Sequence, residues 1–259
     1  MRIGVAATAP LGADVLERLA EHHEIAWLLT RPDAPQGRGR KLGSPPAKLV
    51  AEQLGIPVHQ PEQPALPGDV ERVVVCAYGL YIPPQLLEQS VWLNVHPSLL
   101  PRWRGAAPVE RAILAGDERT GVTIHETIEA LDAGGVAAQE RFEIGDLDAG
   151  QVFARSAEVA VRLLNDVIEA PSFAPQPEEG MIYAEKITSV DRELNLDDPL
   201  DAWRRVRALS PHIGARGELH GKRVTIWKAR LEDGLFVPEV VQPEGRNRMT
   251  YDELVRGLR

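Results

Sequence analysis

Cysteine is almost absent from this sequence, and so are long apolar runs. One thiol in 259 residues, Cys76, excludes an internal disulfide, and its place in VVVCAYG indicates a buried side chain without a chemical role. No run approaches the roughly 18–20 apolar residues of a membrane span, and the N-terminus MRIGVAATAP lacks the apolar region of a secretory signal. We therefore expect a cytoplasmic protein without membrane association.

Three chemical signatures are missing as well. The first apolar run is followed by AATAPLG rather than G-x-G-x-x-G, and no G-x-x-x-x-G-K-[ST] occurs, so the usual dinucleotide-binding and P-loop classes lose their main support. The motif HETIE, which begins at His125, lacks the second histidine of the zinc motif H-E-x-x-H. We expect no metal site.

Charge is spread unevenly along the chain. The net charge of −9 argues against a protein that coats nucleic acid. Residues 199–259 nevertheless carry 12 Lys and Arg against 8 Asp and Glu, a net +4, which leaves −13 for the remainder. A mildly basic tail is by itself typical of ordinary surface solvation.

Short apolar runs alternate with segments of helical spacing. The expected strands are 2–7, 24–30, 56–60, 71–78 and 91–96, and the expected helices are 12–21, 45–54, 84–89 and 107–115. This alternation predicts an α/β fold with a doubly wound, mostly parallel sheet. Such sheets bind ligands beyond the carboxyl ends of their strands.

The chain divides into unequal parts. We expect a main domain over 1–181, a linker over 182–198 and a small domain over 199–259, in which short strands separated by Gly turns predict an OB-like antiparallel barrel.

Asn94 and His96 form a candidate site at the end of one predicted strand. Because they are two residues apart in an extended segment, both side chains project to one face, and Pro97 keeps His96 extended. Asp132, in the Gly-flanked turn LDAGG, is a plausible third member. The spacing alone is equally typical of turn capping and of a histidine satisfied by packing.

A set of segments narrows the choice. "NVHPSLLPRWRGAAPVERAILAGDERTGVTIHETIEALDAGG" resembles the core motif of the folate-dependent formyltransferases. "RPDAPQGRGRKL", "AYGLYIP", "YAEK", "VTIWKA" and "QPEGRNRM" resemble further segments of the branch that acts on methionyl-tRNA, in the same order. The likeness covers nearly the whole chain, and the ordered set is highly specific.

The resemblance implies transfer of a formyl group from 10-formyltetrahydrofolate to the α-amine of methionine on initiator tRNA, with Asn94, His96 and Asp132 as the catalytic residues. Chemistry asks for the same three types. Attack by the amine makes the formyl oxygen negative and the nitrogen positive, so Asn94 would donate to the oxygen and His96 would move the surplus proton. Asp132 would orient the imidazole.

The resemblance also implies binding residues and partners. The expected folate contacts are Gly79, Leu80, Tyr81, Ser98, Leu99, Leu100, Pro101, Ile128 and Leu131. The expected tRNA contacts are Arg38, Arg40, Lys41 and Arg104, with further cations in the tail domain at Arg204, Arg205, Arg207, Lys222, Arg223 and Lys228. We expect a monomer whose partners are initiator methionyl-tRNA and the folate co-substrate.

Several features depart from that branch. AATAPLG lacks the expected Phe near the methionine pocket, and Pro97 is more typical of the branch acting on glycinamide ribonucleotide. The tail domain is also short. A formyltransferase acting on an amino-sugar nucleotide, a 10-formyltetrahydrofolate hydrolase and a folate- or tRNA-binding module without turnover therefore stay open as alternatives.

Overall fold

The computed structural model describes residues 1–36 and 41–258, with the side chains at 36 and 41 left out. Its strands are β1 (Arg2–Ala7), β2 (Glu24–Leu29), β3 (Ala34–Gln36), β4 (Lys41–Gly43), β5 (Val58–His59), β6 (Arg72–Cys76), β7 (Val91–His96), β8 (Arg102–Gly105), β9 (Arg119–Glu126), β10 (Val136–Glu143), β11 (Ile182–Ala184), β12 (Ala215–Leu219), β13 (Lys222–Glu232), β14 (Leu235–Pro243) and β15 (Met249–Thr250). Its helices are α1 (Pro10–Ala20), α2 (Pro46–Gln53), α3 (Pro84–Leu87), α4 (Pro108–Ala115), α5 (Ala149–Val167), α6 (Pro199–Leu209) and α7 (Tyr251–Arg256), with a short 3-10 helix at Val190–Arg192.

The central sheet has seven strands in the order β10-β9-β7-β6-β1-β2-β5. The five strands from β7 to β5 are parallel, and β9 runs antiparallel to β7. The chain winds outward from β1 through β2 to β5 and then returns to β6 and β7 on the other side. The predicted doubly wound, mostly parallel sheet is confirmed, and its switch point lies between β1 and β6.

Apolar runs account for the buried centre of this sheet. Large aromatic side chains fill one side of it, with Trp27, Tyr78 and Trp92 each at most 2% exposed. Each indole N–H has a partner, since Trp27 donates to a main-chain carbonyl at 3.1 Å and Trp92 to another at 2.9 Å. Burial of a side chain of this size contributes about 4–6 kcal/mol at most. At the other face, Gly12 brings α1 against β6, because a Cβ there would lie 2.4 Å from a β6 carbonyl oxygen.

The chain forms two compact units. The first comprises Met1–Arg104, Gly121–Arg141 and Ala154–Ile182, and the second comprises Gly105–Thr120, Phe142–Phe153 and Tyr183–Arg259. The second unit contains an antiparallel sheet in the order β12-β13-β14-β15, against which α6 packs. The antiparallel pairing predicted for the C-terminal strands is therefore confirmed, and in the described strands it forms a meander in which each strand pairs with the next. Closure into an OB-like barrel stays a prediction. The division into 1–181, 182–198 and 199–259 stays a prediction.

Within the described residues, no helix combines the length and the apolar character that crossing a membrane requires.

Candidate active site

Two catalytic candidates lie at the carboxyl end of β7, and the third reaches them from the turn after β9. Asn94 and His96 project from the same face of the strand. The Asp132 carboxylate lies beside both: its Oδ1 is 3.3 Å from Asn94 Nδ2 and its Oδ2 is 3.7 Å from His96 Nδ1. The fold thus brings together the three side chains that the sequence singled out, all within the first compact unit.

The His96 ring is held in one tautomer. Its Nε2 lies 2.7 Å from the main-chain oxygen of Trp103, which only accepts, so the proton sits on Nε2. Burial lowers the pKa of His96 below its usual value, although the Asp132 charge and the Trp103 carbonyl act in the opposite direction. The ring is therefore neutral at pH 7, and its basic atom is Nδ1, on the side of Asp132.

His125 is part of the site and was missed as such from the sequence. Its Nδ1 donates to the main-chain oxygen of Glu126 at 2.8 Å, so its Nε2 is free to accept from Asn94 Nδ2 at 2.9 Å. The signal was the antiparallel pairing of β7 with β9, which sets Asn94 directly opposite His125. The amide of Asn94 is thus oriented by His125 on one side and by Asp132 on the other.

Three residues around the site have left-handed backbones. Ala77 (φ 48°) follows β6, Trp103 (φ 66°) supplies the carbonyl that holds His96, and Asp132 (φ 49°) carries the carboxylate. Such conformations cost a non-glycine residue on the order of 1–3 kcal/mol and concentrate at functional sites. Gly134 completes the turn, because a Cβ there would lie 1.9 Å from the Glu126 oxygen.

Residues 1–168 match the family model described as "Formyl transferase". Over 291 aligned residues the chain is 37% identical to the methionyl-tRNA formyltransferase of Cereibacter sphaeroides, with 100% of this chain and 96% of that protein covered. The chain belongs to the methionyl-tRNA formyltransferase family. The resemblance drawn from the sequence motifs is confirmed.

Solved structures share the fold of this formyltransferase family member. HypX from Aquifex aeolicus in complex with tetrahydrofolic acid superposes with a TM-score of 0.69 at 19% identity, over 98% of this chain and 46% of that chain. The chain therefore spans about half the length of HypX. Methionyl-tRNA formyltransferase from Clostridium thermocellum superposes with a TM-score of 0.66 at 14% identity, over 94% of this chain and 98% of that chain.

The predicted folate residues fall into two groups in this formyltransferase. Tyr81, Ile128 and Leu131 are 62%, 40% and 64% exposed. Gly79, in the same loop as Tyr81, has a left-handed backbone (φ 77°), which only glycine adopts without strain. Large apolar side chains exposed to solvent are often part of a binding surface, and the contact of these residues with folate stays a prediction. Leu80, beside Gly79, is partly buried.

The second group, in the loop after β7, is more buried. Ser98 and Leu100 are 0% and 5% exposed, Pro101 is buried and Leu99 partly buried. The Thr123 hydroxyl secures this loop: it donates to the Ser98 oxygen at 2.7 Å and accepts from the Leu100 N–H at 3.2 Å. These residues shape the loop that follows His96, and their contact with folate stays a prediction.

The tRNA contacts predicted for the basic loop lie outside the described part of the chain. Arg38 and Arg40 lie outside the described residues, as does the side chain of Lys41. At the base of the β3–β4 hairpin, the Asp33 carboxylate accepts from Lys48 Nζ at 2.9 Å and from Gln60 Nε2 at 2.8 Å.

Arg104, also predicted to contact tRNA, has a partner within the first unit. Its Nη2 donates to the Gln176 side-chain oxygen at 2.7 Å. Its role toward tRNA stays a prediction.

Proposed function

We propose that this chain transfers the formyl group of 10-formyltetrahydrofolate to the α-amine of methionine on initiator tRNA. The observation that carries the proposal is the convergence of the Asn94 amide, the basic Nδ1 of His96 and the Asp132 carboxylate at the carboxyl end of β7. These are the groups that amine attack on a formyl carbon requires: a donor for oxygen, a base for the surplus proton and a charge to hold that base. The name carried by the full-length relative supports methionyl-tRNA as the acceptor.

His96 acts as the base. Its pKa is lowered by burial, so the imidazole is neutral and able to accept a proton at pH 7. The Trp103 carbonyl holds Nε2–H, which leaves Nδ1 as the accepting atom. An imidazolium formed there would face the Asp132 carboxylate at 3.7 Å and be stabilised by its charge. It would then give that proton to the folate nitrogen as the bond between this nitrogen and the formyl carbon breaks, which frees tetrahydrofolate.

Asn94 supplies the hydrogen-bond donor. Its shorter contact, at 2.9 Å with His125, fixes the plane of the amide, while the contact with Asp132 is long at 3.3 Å. The Nδ2 hydrogen that makes the longer contact would donate a hydrogen bond to the formyl oxygen as negative charge develops on that oxygen. Loss of one such donor typically lowers kcat by about 10²–10³-fold.

The folate co-substrate fits the exposed apolar group described above. Tyr81 and Leu131 provide surface for a planar ring, and the left-handed Gly79 lets the main chain after β6 approach a ligand closely. Bound there, the folate supplies an activated formyl group. Asn94 orients this group, and His96 accepts the proton that the attacking amine loses.

The acceptor tRNA needs cations, and the second unit offers fewer than the sequence suggested. Lys228 pairs with Glu239 at 3.1 Å, and Arg207 is buried and donates to the Leu147 carbonyl. Lys222 and Arg223 are exposed at the start of β13, and within the described residues neither has an ion-pair partner. We assign phosphate contact in this unit to these two side chains.

The test is formyl transfer to methionyl initiator tRNA, measured with the parent chain and with Asn94→Ala and Asp132→Asn. Asn165→Ala, which removes an exposed amide on α5, is the matched control. We expect transfer by the parent and by the control, with losses of about 10²-fold or more in the two site variants.

Other acceptors decide between the alternatives. Formylation of an amino-sugar nucleotide, or release of formate without any acceptor, would keep the site chemistry and overturn the substrate. Folate binding without turnover would overturn the enzymatic assignment altogether. The cytoplasmic location, the monomeric state and the independence from metal stay predictions.

A further inference from the structure

The Gln176 carboxamide lies between two backbone segments of the candidate active site. Its Nε2 donates to the main-chain oxygens of Asp132 and Gly134, both at 2.8 Å. Its Oε1 accepts from Arg104 Nε at 3.1 Å and Nη2 at 2.7 Å. Because carbonyls only accept and a guanidinium only donates, the amide fits this setting in one orientation.

The chain around Gln176 is docked beside the catalytic turn. Ala174 and Val136 exchange two main-chain hydrogen bonds, at 2.7 and 2.9 Å, which anchors this segment to the strand that leaves the turn. Pro175 and Pro177 flank Gln176 and restrict its backbone. The side chain thus reaches the turn from a fixed platform, and Gln176 lies beyond the region matched by the family model, which ends at residue 168.

The turn is a segment that needs such support. Asp132 has a strained left-handed backbone (φ 49°), yet its carboxylate must stand close to both His96 and Asn94. Gln176 binds the carbonyl of Asp132 itself, so it acts on the residue whose placement matters most.

The oxygen of the Gln176 carboxamide is linked to the Nε2 side of the His96 ring through Arg104. Arg104 directly follows Trp103, whose carbonyl holds Nε2 of His96. One side chain therefore joins the two segments that fix the imidazole: the carbonyl behind Nε2 and the carboxylate in front of Nδ1.

We propose that Gln176 is a positioning residue for formyl transfer, which sets the Asp132 carboxylate relative to the imidazole of His96. The proposal deepens the proposed function and rests on the roles given there to His96 and Asp132. Gln176 itself touches no reacting atom.

Two substitutions separate its two ends. Gln176→Ala removes all four hydrogen bonds. Gln176→Glu keeps a partner for Arg104 and the side-chain volume, but loses both donors to the turn. Gln89→Ala, an exposed glutamine before β7 and far from its carboxyl end, is the matched control. We expect both Gln176 variants to lower kcat about 10- to 100-fold, with the KM for folate changed less than threefold.

Two further measurements identify the route of the effect. The pKa of the His96 ring, followed by NMR, should fall in Gln176→Ala, because a displaced Asp132 charge no longer raises it and the variant adds no new charge. In a double-mutant cycle, Gln176→Glu should cost little on top of Asp132→Asn, since both act through one carboxylate. A merely structural role would leave the ring pKa unchanged and the two losses additive.

The outcomes are distinct. If Gln176→Glu keeps the parent kcat while Asp132→Asn is impaired, the positioning role is wrong and the proposed function stands. If Asp132→Asn is itself unimpaired, the catalytic assignment of Asp132 fails and the proposal fails with it. Should Gln176→Ala not fold, Gln176→Glu alone carries the test.

Discussion

The imidazole of His96 donates from Nε2 to the main-chain oxygen of Trp103 at 2.7 Å. This one contact decides which ring nitrogen does chemistry, since the bonded nitrogen keeps its proton and the other faces Asp132. It also explains why Trp103 is held in a left-handed conformation, which aims its carbonyl at the ring.

The first prediction concerns the protonation of His96. The ring should be the Nε2–H tautomer with a pKa below the ordinary value near 6.5, because burial disfavours the charged form. Asp132→Asn should lower this pKa further by removing the charge that raises it. Nitrogen-15 NMR of the ring measures both, with the His96→Gln variant to assign the signals. An Nδ1–H tautomer, or a pKa above 6.5, would contradict the prediction.

The same pKa shift predicts the direction of a stability change. The folded state binds a proton at His96 less readily than the unfolded chain does. Above pH 6.5 the ring is neutral in both states, and His96 then causes no loss of folding free energy through protonation. The free energy of unfolding should therefore decrease as the pH falls from about 6.5 through the folded-state pKa, because the unfolded chain takes up the proton first. Urea unfolding of the parent and of His96→Gln over that range should show the parent losing more stability than the variant.

The second prediction concerns His125 as the partner of Asn94. His125→Leu leaves an Asn94 N–H without its acceptor in a largely buried site, which costs about 1–3 kcal/mol, or about 10- to 100-fold in kcat if the amide turns away. His125→Gln offers a side-chain oxygen and should lose less. His23→Leu, which breaks a similar His–Asn contact with Asn165 on the surface, is the control. Equal activity of His125→Leu and the parent would exclude the role.

Local pattern was enough for the framework of this molecule. β1 and β7 were predicted with the bounds that the structure gives, because continuous apolar runs define buried strands. The shared face of Asn94 and His96 followed from the two-residue period of a strand. Asp132 was a candidate from its Gly-flanked turn alone, and the family resemblance gave it a catalytic role, since only the fold brings it next to His96.

The residues that sequence reasoning missed depend on long-range geometry. His125 acquires its role from the antiparallel register that places it opposite Asn94, and strand order is not written in the local pattern. Gln176 lies in a proline-rich segment whose sequence shows neither strand nor helix periodicity. The folded loop, rather than any periodicity, directs its side chain at the turn.

The third prediction concerns tRNA affinity. The double variant Lys222→Ala with Arg223→Ala should weaken binding to methionyl initiator tRNA and reduce the dependence of log K on log salt by about 1–2. The control is the double variant Lys228→Ala with Arg230→Ala, whose cations already pair with Glu239. Binding measured over a range of KCl concentrations tests this, and an unchanged slope in the first variant would contradict the assignment.

The last prediction concerns the stability of the second unit. Asp191 accepts from Arg111 Nη1 at 2.7 Å and from the Thr188 N–H at 2.7 Å, and these contacts lower its pKa to about 2, with the Arg111 hydrogen bond the main cause. Its side chain is 18% exposed, so solvent screens the pair only in part. Asp191→Asn should therefore destabilise the chain by about 1–2 kcal/mol at pH 7.

The pH dependence of that loss provides its check. A carboxylate with a depressed folded-state pKa stabilises the fold fully above its unfolded pKa, about 3.9, and this contribution disappears as the pH falls through about 2. Urea unfolding at pH 7 and pH 3 should thus show a smaller gap between parent and Asp191→Asn in acid. Asp197→Asn, which changes an exposed carboxylate nearby, should differ little from the parent at pH 7. A gap that stays constant with pH would mean that Asp191 acts through packing or hydrogen-bond geometry rather than through its charge.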